Sequence, residues 1–219
     1  MIKFFDILRK CPLFEGIADE GLDKILHCLG ASSDFYDKKF TIFADGKPIK
    51  YIGIVLSGSV QAVQVDYYGN RSILTENYPG EMFGQAFACS GTVPTSLSYI
   101  ANQPSDIMLL DCSHILHTCS HNCGFHQRMI YNLMKNMAQG NIELHQRIEV
   151  TSKRTTREKL MTYLSLYAAK SGSNEFDIPF DRQELADYLE VERSGLSAEI
   201  SKLRAEGVLE SNKRHFVMY

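Results

Sequence analysis

Asp181–Gly207 reads DRQELADYLEVERSGLSAEISKLRAEG, and its spacing predicts two short helices meeting across a tight three-residue connection. Asp181 suits an N-cap, Glu184 three positions on completes a capping box, and Phe180 with Leu185 occupies the two staple positions. Leu185 and Leu189, then Leu196, Ile200 and Leu203 across the turn, recur at helical spacing and supply an apolar seam. Gly207 suits a C-terminal cap, and residues 208–219, VLESNKRHFVMY, predict two short strands around a polar turn. The pattern is that of a helix-turn-helix followed by a wing.

The other face of the second helix carries Ser194, Ser197, Ala198 and Ser201, all short enough to let the helix backbone approach a base-pair edge. Arg193 stands at the entrance and Lys202 flanks the row; arginine is the side chain that best matches the two acceptors of guanine. Arg182 at the first helix start, with Lys213 and Arg214 on the wing, are the expected phosphate contacts. The alternative is a small packed subdomain, since glycine-terminated helix pairs also occur in proteins that never touch nucleic acid.

This segment resembles the winged helix of the superfamily typified by the cyclic-AMP receptor protein and the fumarate-and-nitrate-reduction regulator. The family's RQELA stands at 182–186, and its R-S pair near the start of the recognition helix stands as Arg193-Ser194. Family members begin that helix with Ser or Asp; here Glu192 takes the position, and a longer carboxylate is a poorer cap.

Composition narrows the classes. The chain has 219 residues, is 44% hydrophobic and carries a formal net charge of −3, so any nucleic-acid footprint is local rather than global. From Thr151 onward basic and acidic residues balance. No apolar run approaches membrane-spanning length, and MIKFFDILRKCPLF is too short and too charged for a signal peptide, which implies a cytoplasmic protein without membrane association. Six cysteines without a secretion signal imply thiols rather than disulfides.

Residues 3–30 read as short helices broken at Pro12, with Leu22, Ile25, Leu26 and Leu29 on one face. From Phe35 the runs KKFTIF, YIGIVLSGSVQAVQV, SILTENY, TSLSYIA and DIMLLD, separated by turn signals, predict a small antiparallel sandwich or barrel. Ser57-Gly58 suits a tight turn inside one of these runs. This region resembles the double-stranded β-helix, or β-roll, of the same superfamily. The likeness runs through Ile54–Gly58 and through Tyr78-Pro79-Gly80-Glu81-Met82-Phe83-Gly84, in the position of the family's G-E-x-F-G element.

The expected fold is therefore α+β. Residues 1–124 would form a sensory β-roll domain of the cyclic-nucleotide-binding type with N-terminal helices, 125–152 a dimerisation helix, and 153–219 the winged helix-turn-helix. Met129, Leu133, Met137, Leu144 and Ile148 lie on a long apolar stripe that needs a partner, and the resemblance makes that partner a second copy. The alternative is a helix packed only on its own β-roll.

The resemblance also places an effector pocket at Gly80, Glu81, Phe83, Gly84, Thr95 and Ser96. Cyclic-nucleotide-binding relatives pair G-E with a downstream R-S, the arginine meeting the phosphate. Here the matching pair is Thr95-Ser96, and no Lys or Arg occurs between Arg71 and Arg128. A buried phosphate would lack its bidentate partner, which argues against a cyclic nucleotide.

Residues 112–126, CSHILHTCSHNCGFH, are dense in thiols and imidazoles: Cys112, His114, His117, Cys119, His121, Cys123 and His126. Their spacing fits no standard zinc pattern, so no metal or other cofactor is assigned, and a haem- or redox-sensing regulator is the alternative.

The reading is a one-component transcription regulator, not an enzyme, that binds double-stranded DNA at a palindromic operator as a homodimer. Its small-molecule effector is unidentified, and RNA polymerase is a further candidate partner. A ligand-gated β-roll acting on protein partners is the first competitor. A cupin-like enzyme is the second, but the strands from Phe35 to Asp111 contain no His to build its metal site.

Overall fold

The computed structural model describes residues 4–69, 71–91, 94–116 and 124–219. The chain divides into two compact units, Met1–Ala138 and Gln139–Tyr219.

The first unit begins with α1 (Phe5–Leu8), a single 3-10 turn at Pro12–Phe14, and α2 (Asp19–Cys28). Pro12 suits the start of its turn because a helix's first N–H has no intrahelical partner. The apolar face of α2, Leu22, Ile25 and Leu26, is buried as its spacing predicts. Among the described residues eight strands follow: β1 (Ser32–Tyr36), β2 (Thr41–Phe43), β3 (Tyr51–Val55), β4 (Val60–Val65), β5 (Arg71–Asn77), β6 (Met82–Phe83), β7 (Ser98–Ala101) and β8 (Ser105–Asp111). Between β6 and β7 lies α3 (Gln85–Ser90), and α4 (Cys112–Leu116) follows β8. The strands form two antiparallel four-stranded sheets, ordered β1-β8-β3-β6 and β2-β7-β4-β5.

Two expectations change here. The turn at Ser57-Gly58 joins two sheets rather than bending one continuous run, because β3 and β4 belong to different sheets. The turn is held instead by the start of β8: the Leu56 and Ser57 amides donate to Asp106 O, and Ser57 Oγ donates to Asp106 Oδ2 at 2.8 Å. Gly58 adopts φ +79°, and a Cβ there would run into Ser105, so the crossover requires glycine. Strand β1, SSDFY, also starts earlier than its sequence suggests; four of its five residues are exposed, so no alternation marks it.

The core of this unit joins Leu22, Ile25 and Leu26 to Ile52, Ile54, Ile107 and Leu110 of the β-roll. Phe83 lies over Gly53, whose missing side chain makes the room, and Phe43 and Tyr99 complete an aromatic cluster with ring centroids 5.3–5.9 Å apart.

Helix α5 (Gly124–Thr151) continues through Gly140, and the division between units falls inside it. In the second unit α6 (Thr156–Ser171) opens with a capping box of Thr155 and Glu158 and ends at Gly172, φ +69°. Then come β9 (Glu175–Asp177), α7 (Arg182–Leu189), α8 (Arg193–Ala205), β10 (Leu209–Asn212) and β11 (His215–Met218). Strand β9 joins the wing as a third strand, with Phe176 opposite Phe216. Three residues are too few for a periodic signal, which is why the sequence predicts only two wing strands. The core here unites Val150 with Leu160, Leu164, Leu185, Leu189, Leu196, Ile200, Leu203 and Phe216. Among the described residues no helix is long and apolar enough to cross a membrane.

Candidate nucleic-acid interface

The start of α7 is fixed as its sequence predicts. The Asp181 carboxylate accepts from Gln183 N at 2.8 Å and Glu184 N at 2.9 Å, and Glu184 returns the bond by accepting from Asp181 N at 2.6 Å. The Glu184 amide holds the Asp181 carboxyl below its ordinary range. Glu190, Val191 and Glu192 form the three-residue connection. Glu190 takes the left-handed conformation at φ +53°, and the Val191 amide donates back to Ala186 O at 3.0 Å. Lys159 of α6 donates from Nζ to Leu189 O at 3.0 Å, satisfying a carbonyl that the end of α7 leaves free. This cap comes from 30 positions upstream, so no local pattern announces it.

Helix α8 buries Leu196, Ile200 and Leu203. Glu192 makes no side-chain cap, in keeping with its poor fit to that role. The helix ends in a Schellman arrangement: Gly207 sits at φ +71°, Gly207 N donates to Arg204 O, and Val208 N donates to Leu203 O. Arg193, Ser194, Ser197, Ala198, Ser201 and Lys202 are all exposed on the opposite face. Ser197 Oγ donates to Arg193 O, and Ser201 Oγ to Ser197 O, each at 3.0 Å.

The wing turns through Lys213 and Arg214, with Asn212 paired to His215 across it. Lys213 sits at φ +55°, a conformation that favours glycine or asparagine, so the tip is basic at a conformational cost. Between the wing and the start of α7 lies a cleft of about 610 Å³ that brings together Arg182, Arg193, Lys213 and Arg214 with Gln183 and Asn212. Asp177 and Asp181 line it too.

Arg182 also serves the fold. It is half-buried, stands over the Phe216 ring at 5.7 Å and donates from Nη2 to Ser211 Oγ at 3.2 Å. Burial holds its guanidinium below the ordinary value. These contacts tie α7 to the wing, while Nη1 of Arg182 has no hydrogen-bond partner among the described residues.

Arg157, which the sequence does not single out, grips α8 from α6. It donates from Nη1 and Nη2 to the Glu206 carboxylate at 2.8 and 2.7 Å and from Nε to Glu199 at 2.6 Å. The hydrogen bond from Arg157 lowers the Glu206 pKa. Glu199 of α8 and Glu206 at its C-terminal end thus meet a cation on their own unit, which reduces the repulsion these two carboxylates would offer a phosphate backbone.

Residues 158–218 match the Crp-like helix-turn-helix domain and residues 34–122 the cyclic nucleotide-binding domain, together spanning more than half of the chain. The transcriptional activator protein FnrL of Cereibacter sphaeroides is 21% identical over 199 residues, covering 84% of this chain and 75% of FnrL. Among solved structures, CprK complexed with OCPA superposes with a TM-score of 0.62 at 13% identity, over 92% of both chains. The catabolite activator protein of Thermus thermophilus gives 0.50 at 22%, over 95% of this chain and 93% of that one.

The chain belongs to the CRP/FNR superfamily. It is a DNA-binding transcription regulator of the CRP/FNR type, with that superfamily's β-roll, long helix and C-terminal winged helix.

The remaining sites expected of a CRP/FNR chain fall in the first unit and along α5. Gly80 sits at φ +93° with its amide on Val55 O, and Gly84, at φ +75°, starts α3. The Glu81 carboxylate accepts from Tyr78 N at 2.8 Å and so closes on its own turn. Thr95 is buried, its Oγ1 donating to Leu97 O at 3.0 Å and accepting from Leu97 N at 2.9 Å, while Ser96 is exposed. Phe83 is taken up by the aromatic cluster with Phe43 and Tyr99.

The apolar stripe of α5 divides. Met129 and Leu133 are buried in the core of their own unit, which narrows the set of residues available to a partner. Met137 is 38% exposed, Leu144 63% and Ile148 61%, and Tyr131, Met134 and Ile142 join them on the surface. Periodicity alone could not separate the two sets, because both recur at helical spacing. Asn132 adds to the inward side: Nδ2 donates to Leu13 O at 3.0 Å and Glu15 O at 2.8 Å.

Of the Cys/His cluster, His117, Cys119, His121 and Cys123 lie outside the described residues. His114 Nδ1 lies 3.3 Å from Leu29 O, and His126 is buried on α5.

Proposed function

We propose that this CRP/FNR chain acts in the cytoplasm as a homodimeric, one-component regulator that reads a palindromic operator with α8 in the major groove. The supporting observation is the pairing of an exposed row of short side chains headed by Arg193 with a basic wing tip at Lys213 and Arg214 across one cleft. The short side chains permit close approach, Arg193 matches guanine, and the wing meets phosphate. Residues 1–124 serve as the sensory domain, 125–152 as the dimerisation helix and 153–219 as the DNA-binding domain. Met137, Leu144 and Ile148 supply the dimer contacts, because large apolar side chains this exposed on a long helix call for a partner. A twofold dimer in turn demands a twofold-symmetric site.

The effector belongs near Glu81 and Ser96 and is not a cyclic nucleotide. The lack of Lys or Arg from residue 72 to residue 127 supports this. Calorimetric titration with cyclic AMP or cyclic GMP is expected to show binding no tighter than about 10 μM.

The decisive experiment is operator selection from a random DNA pool by the full chain, with sedimentation in parallel. A palindrome is expected to be enriched by a dimer, and Met137→Glu with Leu144→Glu is expected to give monomers that bind the operator weakly. A wild type that enriches no palindrome, or that is monomeric at micromolar concentration, overturns the reading.

A further inference from the structure

Two thiols meet where α3 and α4 pack together in the first unit. Cys89 on α3 is half-buried, Cys112 opens α4 and is buried, and their Sγ atoms stand 3.2 Å apart. We propose that Cys89 and Cys112 form a reversible disulfide on contact with hydrogen peroxide, so that α3 and α4 are covalently stapled in the oxidised protein and held only by noncovalent contact in the reduced one.

The distance selects this chemistry over its nearest competitor. A disulfide needs the sulfurs at about 2.0 Å, so closure takes a movement of about 1 Å shared between two short helices. Two thiolates on one tetrahedral zinc, with bonds of about 2.3 Å, would stand about 3.8 Å apart, wider than this pair. Among the described residues no group of three or more His, Cys, Asp and Glu gathers around a metal position.

The two sulfurs are also unequal. The hydrogen bond shared with Cys112 holds the Cys89 thiol below its ordinary value, while the same contact and burial push Cys112 up. Cys89 is thus the readier thiolate and the more accessible of the two, which makes it the attacking group and Cys112 the resolving one.

The steps balance. The Cys89 thiolate attacks one peroxide oxygen, the O–O bond breaks, and the departing hydroxide takes the Cys112 proton to leave as water. Cys89 is now a sulfenic acid. The Cys112 thiolate attacks Cys89 Sγ, the S–O bond breaks, and the second hydroxide leaves as water with the proton that Cys89 released on ionising. Two thiols are oxidised by two electrons and one peroxide yields two waters.

The staple has a structural consequence within its unit. Helix α3, capped by Gly84, follows β6, which pairs with β3, and α4 continues from β8, which pairs along the whole of β3. Oxidation would add a covalent tie between the helices that follow β6 and β8, two strands that both pair with β3. This inference does not depend on the DNA-binding reading, and its test does not involve DNA.

The test is thiol mapping of the full-length protein. Reduced protein is treated with hydrogen peroxide, the remaining thiols are alkylated, and peptides are analysed without reduction. A peptide joining Cys89 to Cys112, lighter by two hydrogens and released by dithiothreitol, is expected. Cys112→Ser is expected to leave a sulfenic acid at Cys89 that dimedone traps, and Cys89→Ser to leave Cys112 unmodified. Alkylation of both cysteines after peroxide treatment, a cross-link to any other cysteine instead, or one zinc retained through dialysis that either serine variant abolishes would overturn the proposal. The wild-type map alone decides the first two outcomes, so a variant that folds poorly does not rescue the idea.

Discussion

Arg193 and Glu81 stand where partners are expected, one on the recognition helix and one on the β-roll. Arg193 faces an open cleft with Lys213 and Arg214, on a helix whose outward side chains stay exposed. Glu81, itself exposed, is bonded to Tyr78 N, and buried Thr95 is doubly bonded to Leu97, so these two groups of the β-roll already serve the fold. A surface built for a large, permanently charged partner can leave its donors in water at little cost. A pocket for a small ligand must keep its polar groups satisfied while it stands empty, since a buried unpaired group costs on the order of 1–3 kcal/mol.

The comparison breaks most directly at Phe216, which supports both the wing core and the Arg182 guanidinium. Phe216→Ala is expected to cost about 3–5 kcal/mol in denaturant unfolding of the DNA-binding unit, with the β-roll transition unmoved. Equal loss in both transitions would mean that the two regions do not unfold separately.

Arg193→Ala comes next. It is expected to weaken cognate binding by about 1–3 kcal/mol and to relax preference at one base pair of each half-site. An unchanged selected motif at unchanged affinity removes α8 from the major groove. By contrast, Glu81→Gln is expected to leave operator affinity of the effector-free protein unaltered, because its contact is local to the Tyr78 turn.

A third, smaller effect is a dependence on acid. The amide of Glu184 depresses the Asp181 pKa, the Thr155 N–H depresses that of Glu158, and the Arg157 guanidinium depresses that of Glu206. The unfolded chain therefore takes up these protons first. The stability they confer is complete above the ordinary carboxylate range near pH 4 and is lost as pH falls through the folded values below it. Unfolding midpoints of wild type and Asp181→Ala are expected to differ at neutral pH and to converge in that acid window.

The smallest change is Lys213→Ala, which is expected to weaken binding to all sequences alike. It should flatten the log–log salt dependence by about one unit, as measured by binding at several salt concentrations.

What the sequence makes legible follows interaction range. The Asp181–Glu184 box, the Leu196–Leu203 seam and the Gly207 cap are all set by neighbours within four positions, and the structure keeps each of them. The sheet crossover at Ser57-Gly58 depends on Asp106, the α7 cap on Lys159, and the grip on α8 on Arg157. These partners lie tens of residues away, and no period connects them. The α5 stripe fails for a different reason: burying Leu133 and exposing Leu144 depends on which other elements happen to reach the helix, information that hydrophobicity alone does not carry.

The back-bonded serines of α8 have a consequence for reading bases. A hydroxyl has one proton, and Ser197 and Ser201 give theirs to carbonyls of the preceding turn. What each oxygen keeps toward solvent is acceptor capacity. With α8 in the major groove, as proposed above, these oxygens would accept from the amino groups of adenine N6 or cytosine N4, whereas guanine O6 and thymine O4 would meet lone pairs with lone pairs. Under the proposed docking of α8, recognition would be split by polarity, with Arg193 asking for acceptors and the serines behind it asking for donors.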